Sequence, residues 1–339
     1  MNQVVICAFM IAASGGTSAE GEALRAAYLE WQANVAFKGT FQLRAGISRS
    51  RDDAVQLKFD PQLNSPSSNT FEGNGEIAKL GSSIRYRIDY GPIVRLDKMK
   101  TFGLPFDEST NGEVVVSYSI LRDNIGNVAT VMRHPASLGR SAAGPQTATE
   151  LSPLNLLKSN DGLFSNMKLV TVTPIDDGHV VVDLERADVA GVEYLRQITF
   201  ATAYELPVVE KVADKYRYKG KSGQAECLAS DFQNCPGGMV PRRLLFFLRP
   251  LGAQNFLVRH WTSTNLGDET PTEDDFVITV PATTSVIGLK QPLPQTIERR
   301  LDPHKLNINA IYTELELEKP QPLGGPDVGV ESKLNVRGI

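Results

Sequence analysis

Along most of the chain, apolar and polar side chains alternate with a period of two. In the stretch from Ile84 to Tyr90, residues Ile84, Tyr86, Ile88 and Tyr90 fall on one side of an extended backbone, and Arg85, Arg87 and Asp89 fall on the other. That is the signature of a half-buried β-strand. The same period predicts strands at 37–45, 54–59, 75–80, 84–90, 93–97, 114–121 and 128–133. It resumes at 167–174, 179–185, 194–203, 208–218, 243–249, 255–264 and 276–280. Turn signals such as Gly81-Ser82, Gly91-Pro92, Asn111-Gly112 and Asp176-Asp177-Gly178 separate the runs, so the order reads as a meander. One segment keeps a different period. Leu24, Ala27, Tyr28 and Trp31 stand at i, i+3, i+4 and i+7, with Glu22, Arg25 and Glu30 turned away, which predicts an amphipathic helix over 22–35 that needs an apolar partner.

Three segments break the pattern. Val4 to Ala13 is apolar and is followed by Ser14-Gly15-Gly16 and Thr17-Ser18-Ala19, so residues 1–19 read as a signal peptide cleaved near Ala19. No other run approaches the ~20 residues that span a bilayer. Residues 135–162 are rich in Ser, Ala and Gly and contain Ser152-Pro153, an N-cap followed by proline at the first helical position, which predicts a short mid-chain helix acting as a lid or a linker. Beyond Gln291 prolines are scattered, and 291–339 reads as an extended tail with room for a last edge strand near Leu306 to Tyr312. The division is therefore a leader at 1–19, one domain at 20–290 and the tail, with a periplasmic or secreted destination.

The formal charge of −4 comes from 35 basic and 39 acidic residues spread through the 339, which leaves no basic footprint for nucleic acid. Cleavage at Ala19 would remove Cys7 and leave Cys227 and Cys235 in a segment with Pro236, Gly237 and Gly238, which predicts a disulfide at a hairpin tip. The four histidines have no metal or catalytic spacing, and no zinc motif, phosphate-gripping loop or nucleophile elbow is present. Asp52-Asp53, Asp176-Asp177 and Asp274-Asp275 fall at predicted strand ends, where Asp bonds its own backbone. Arg242-Arg243 and Arg299-Arg300 read as solvated strand ends, and Trp31, Trp261, Phe246 and Phe247 read singly as core. No cofactor, no metal and no enzymatic activity are expected.

Several segments in order resemble the superfamily of the periplasmic lipoprotein carrier LolA and its secreted relatives. The amphipathic helix leads into Phe37-Lys38-Gly39-Thr40-Phe41, and Gly75-Glu76-Ile77 with Ile84-Arg85-Tyr86 is similar to the paired strands that follow. Further matches are Tyr204-Glu205-Leu206-Pro207-Val208 before Lys215-Tyr216-Arg217-Tyr218, then Met239-Val240-Pro241-Arg242-Arg243, and the closing run Asp275-Phe276-Val277-Ile278-Thr279-Val280-Pro281. The resemblance covers about residues 22–290 and departs from the family in lacking a glycine after Pro281, in its cysteine segment and in its tail. It implies a mainly β fold: a single large, antiparallel, unclosed β-half-barrel covered by the N-terminal helix and the mid-chain helix. The implied function is exported lipid or lipoprotein binding, with an acyl chain held reversibly between sheet and helices. Candidate contacts, each on an apolar face, are Trp31, Phe41, Tyr86, Ile88, Tyr118 and Phe200. The alternative is a secreted β-rich module without a ligand cavity, which engages another envelope protein through its loops or tail.

Overall fold

The computed structural model describes residues 18–63, 71–90, 93–94, 100–101, 106–110, 114–120, 127–133, 163–164, 167–186, 191–279, 285–290, 295–300 and 305–306. Helix α1 (Ser18–Asn34) opens the described chain and is followed by strand β1 (Ala36–Ser48) and the single-turn α2 (Arg51–Val55). Next come β2 (Phe71–Leu80), β3 (Ser83–Tyr90), β4 (Ile93–Val94), β5 (Lys100–Thr101), β6 (Phe106–Thr110), β7 (Val114–Ile120) and β8 (Asn127–Arg133). A second run comprises β9 (Lys168–Asp176), β10 (His179–Glu185), β11 (Val192–Ala201), β12 (Val208–Tyr218), β13 (Lys221–Cys235), β14 (Gly238–Arg249) and β15 (Phe256–Ser263). After a 3-10 turn at Glu273–Phe276 come β16 (Ile278–Thr279), β17 (Ser285–Lys290), β18 (Gln295–Arg300) and β19 (Lys305–Leu306).

Fifteen strands form one unclosed sheet in the order β18-β17-β8-β7-β6-β3-β2-β1-β15-β14-β13-β12-β11-β10-β9. Every pairing in it is antiparallel except β17 with β8. The two meanders meet at β1, which pairs with β2 over Ala36–Ala45 and with β15 over Phe41–Ser48. The alternation predicts the large sheet with one apolar face, and the unclosed antiparallel arrangement under an N-terminal helix is the one that the resemblance implies. The mid-chain helix expected at 152–157 and the leader up to residue 17 lie outside the described residues. Ser18 and Ala19, read as the end of the leader, form the start of α1.

The parity of each strand sorts its side chains between two faces. On the inner face one cluster runs from Ile84 and Ile88 of β3 through Phe37, Phe41, Trp261, Phe246, Cys227, Val212 and Ile198 to Val172 of β9. Leu24, Tyr28 and Trp31 of α1 close over it, together with Leu163 and Phe164. These are the residues that the helical spacing placed on one stripe. At roughly 1.5–3 kcal/mol for each large apolar side chain withdrawn from water, this docking holds a helix whose sequence alone would be marginal. A directional bond fixes its end: Trp31 Nε1–H donates to Met239 O at 2.9 Å.

The outer face carries a smaller cluster of Leu245, Phe247, Phe256 and Val258 capped by Ala54 of α2. Here the predicted strand at 54–59 is corrected: its first two residues end α2 and the rest is irregular. Ser50 supplies the reason, since its hydroxyl accepts from Asp53 N–H at 3.1 Å as an N-cap, with Asp52 and Asp53 favourable in the first turn. Asp176 likewise accepts from Gly178 N–H, and Asp275 from Thr272 N–H, so each acidic pair shapes its own backbone as its position implied.

The disulfide expectation is also corrected. Cys227 and Cys235 are free and buried, and both lie in β13, which pairs with β14 from Gln224↔Arg249 to Cys235↔Gly238. Eight residues of extended chain hold them roughly 26 Å apart at ~3.3 Å per residue, whereas a disulfide needs Cα atoms within about 7 Å. Both thiols instead pack into the inner core as small hydrophobes. The stretch read as tail also contributes β18, which pairs with β17 at one end of the sheet.

At the other end, β9 has β10 as its one neighbour among the described residues. Its pairing shifts register twice, leaving Val170 and Ile175 as extra, exposed residues, and Pro174 stands beside the second shift. Two bulges and a proline blunt an edge that a flat strand would offer to another chain.

Candidate functional site

The six candidate contacts separate into three groups. Trp31, Phe41, Ile88 and Phe200 are all closed core, none more than 5% exposed. Tyr86 is half-buried against the same cluster. Tyr118 lies in β7, and its side chain falls outside the described residues. The structure brings the described candidates onto one face in two aromatic groups. Phe41 stacks on Tyr86 with ring centres 5.2 Å apart, and both meet Trp261 edge-on at 4.5 and 5.7 Å. Under α1, Tyr28 stacks on Trp31 and meets Phe200 edge-on, while Phe164 stacks on Phe200. These residues fill the space between sheet and helix themselves. A gap bordered by Phe37, Trp261 and Leu266 measures about 10 Å³, room for a single water at most.

The inner face also holds two charged features at positions of apolar parity. Arg196 and Asp214 face each other on β11 and β12 beside Tyr194, whose hydroxyl donates to Asp214 Oδ2 at 2.5 Å. Arg196 Nη1 donates to Leu163 O at 2.9 Å, which ties the covering turn to the sheet. Lys79 is fully buried in register with Phe37 and Ile84, and its ammonium donates to Gly81 O at 2.7 Å. Burial brings its pKa down from 10.5 to about 8.

A cavity of about 310 Å³ lies on the opposite face, above β1, β2 and β3. Its floor follows from strand register. Lys38, Ala78 and Arg85 are cross-strand neighbours, as are Thr40, Glu76 and Arg87, so three cations from β1 and β3 and one carboxylate from the β2 between them share a surface. The chain after β15 returns over this floor. Before it does so it runs beside β1: Gly39, in the inward row of Ile77 and Tyr86, leaves room for it there, because a Cβ would stand 2.9 Å from the backbone of Leu266, a member of the inner cluster. Gly267 N–H donates to Lys38 O, and Asn265 Oδ1 accepts from Thr40 N–H and Oγ1 at 2.9 and 2.6 Å. At the far end Ser109 Oγ donates to Phe276 O at 2.8 Å.

This roof brings Asp268, Glu269 and Asp275 over the cations. Lys38 Nζ bonds Glu269 at 2.6 Å and lies 3.6 Å from Asp275. Arg85 forms a two-pronged pair with Asp107 of β6 at 2.9 and 2.6 Å and donates to Asp275 O. The nearby charges outweigh burial and hold Arg85 above the usual guanidinium value. No group of His, Cys, Asp and Glu among the described residues forms a metal-binding set. Sequence reasoning missed this site because it cannot see where the 264–277 segment returns, although alternation had already put Arg85 and Arg87 on the polar face. The Arg196–Asp214 pair left a legible signal: a charge at the parity of Tyr194, Ile198 and Phe200.

No helix of the described residues is long and apolar enough to cross a membrane. No protein-family model and no curated protein matches the chain. Among solved structures, the chain is similar to a DUF1329 family protein from Desulfovibrio piger, with 13% sequence identity and a TM-score of 0.42, over 76% of this chain and 96% of that one. It is also similar to the Pseudomonas aeruginosa MucA/MucB complex, with 9% identity and a TM-score of 0.21, over 72% of this chain and 94% of that one.

Proposed function

We propose that the protein is an exported, non-enzymatic binding protein of the LolA-like kind, which takes the acyl chain of a lipid or lipoprotein on the inner face of its sheet by displacing α1 and the Leu163–Phe164 turn. The observation that carries this reading is the chemistry of the covered face. It is mainly aromatic and aliphatic on both sides of the contact, with Arg196–Asp214 and Lys79 as buried polar exceptions, and the helix that closes it does so chiefly through Leu24, Tyr28 and Trp31. The closed arrangement is then the ligand-free state, with the cover standing where the guest would lie.

The energetics of exchange suit reversible uptake. Re-exposing five large side chains, from Leu24, Tyr28, Trp31, Leu163 and Phe164, costs roughly 7–15 kcal/mol, and an acyl chain of ~16 methylenes returns about 13 at ~0.8 kcal/mol each. Gain and cost nearly balance, so binding needs no precisely placed polar group and release needs only a modest push. Export rests on the leader-like run at residues 1–19, since the two thiols form no disulfide.

The test uses the two tryptophans, one on the cover and one on the sheet. In a Trp261→Phe variant, emission reports Trp31 alone. Added phospholipid or lipopeptide is expected to shift that emission to the red, expose it to iodide quenching and raise the unfolding temperature. Protein purified from its own host is expected to carry lipid in native mass spectrometry. No lipid, no shift and no stabilisation together would remove the carrier reading. They would leave the cavity-free interaction module, which the tight filling beneath α1 favours.

A further inference from the structure

The charged cavity above β1, β2 and β3 plays no part in acyl-chain binding, because it opens on the other face of the sheet. Its construction is that of a pocket rather than of a strap. A loop held down only by ion pairs would settle onto the strands. Here the roof is seated at both ends, by Thr40 with Asn265 and by Ser109 with Phe276, and the middle stands clear of the floor by about 310 Å³. That volume lies at the lower end of the range for small-molecule sites. The floor stays open because Ala78, between Lys38 and Arg85 in the cross-strand row, projects only a methyl group.

We propose that this cavity binds a small dipolar molecule carrying both an ammonium and a carboxylate, of the amino-acid or short-peptide class. The charges exclude simpler ligands. A plain anion attracted by Lys38, Arg85 and Arg87 would meet Glu76 beside them and Asp268, Glu269 and Asp275 across the cavity, and a plain cation would meet the three floor cations. A ligand with both signs satisfies floor and roof together. The Lys38–Glu269 pair shows how entry proceeds: Glu269 is 72% exposed, so its carboxylate can swing outward, giving Lys38 to the ligand carboxylate and taking the ligand ammonium in return. Charge balance is kept at every stage, and Arg85 stays anchored on Asp107.

The experiment is calorimetric and thermal titration of the full chain with glycylglycine and with lysyl-glutamate, at constant ionic strength. Acetate and methylammonium serve as the two half-ligands. Both dipeptides are expected to bind at millimolar concentrations and to raise the unfolding temperature, and the half-ligands to do neither. Ala78→Leu, which fills the floor at a position only 6% exposed, is expected to abolish binding in calorimetry run below the variant's own unfolding transition. Glu269→Gln, an exposed change that leaves the fold intact, is expected to raise the dissociation constant about tenfold, the size of one lost charge-assisted contact. Absence of binding by both dipeptides, equal binding by acetate or methylammonium, or an unchanged constant in Glu269→Gln overturns the proposal.

Discussion

Arg196 and Asp214 lie side by side on the covered face, Nε to Oδ1 at 2.8 Å and Nη2 to Oδ2 at 2.9 Å, with the Asp214 side chain fully excluded from solvent. The remaining polar capacity is used by Tyr194 and by the Leu163 carbonyl. Such a pair contributes little net stability, but either half alone is a buried, uncompensated charge. Arg196→Met or Asp214→Leu is therefore expected to cost roughly 3–5 kcal/mol in urea unfolding. The double variant, apolar at both positions, is expected to recover most of that loss. Equal damage in single and double variants would show that the ion pair itself, rather than its completeness, holds the turn.

Lys79 makes the protein more stable as the solution becomes alkaline. Its folded ammonium gives up a proton near pH 8, against 10.5 for an unperturbed lysine, so between these values the unfolded chain binds more protons and stability rises with pH. Below pH 8 the burial penalty is carried in full, and above 10.5 it is gone. The depression corresponds to on the order of 3 kcal/mol. Lys79→Met is expected to remove this slope, and the difference between the two proteins in unfolding free energy from pH 7.5 to 10.5 checks it.

Both thiols are expected to be slow to react in the folded protein. Burial raises the Cys227 pKa to about 12 and that of Cys235 to about 11, which leaves almost no thiolate at neutral pH. Alkylation followed by peptide mapping should find both unmodified before denaturant and both modified after it. Reductant should leave the unfolding temperature unchanged, and a drop with reductant would revive the disulfide.

Gly75 is held to a hydrogen atom by the ring that covers it. It lies between Phe41 and Ile88 in the cross-strand row, and a Cβ there would overlap the Arg87 carbonyl and the Phe41 ring. Since the backbone oxygen belongs to the ladder and cannot retreat, Gly75→Ala is expected to cost about 2–3 kcal/mol, at the upper end of ordinary overpacking. Chemical denaturation measures it, and relief by a second change, Phe41→Leu, would show how much of the strain is the ring's.

Sequence alone determined which faces the strands present, because parity is a local property. Ile84 and Ile88 inside, Arg85 and Arg87 on the opposite face, and the Leu24–Tyr28–Trp31 stripe follow from two periods that any solvent-exposed sheet or helix must obey. It did not reveal β13, whose inner positions are the small residues Ala225, Cys227 and Ala229, with little apolar bulk or β-branching. That strand is specified by pairing with β12 and β14 on both sides. Nor could it distinguish the strand expected at 54–59 from a helix capped by Ser50 and seated on Phe247, since both bury Ala54. Only the tertiary structure decided that the aromatic candidates fill the covered face themselves, and that the chain after β15 returns over Lys38 and Arg85 to enclose a charged space. Whether a face becomes core or cavity depends on what distant chain lies across it, and alternation along a single strand carries no information about that distance.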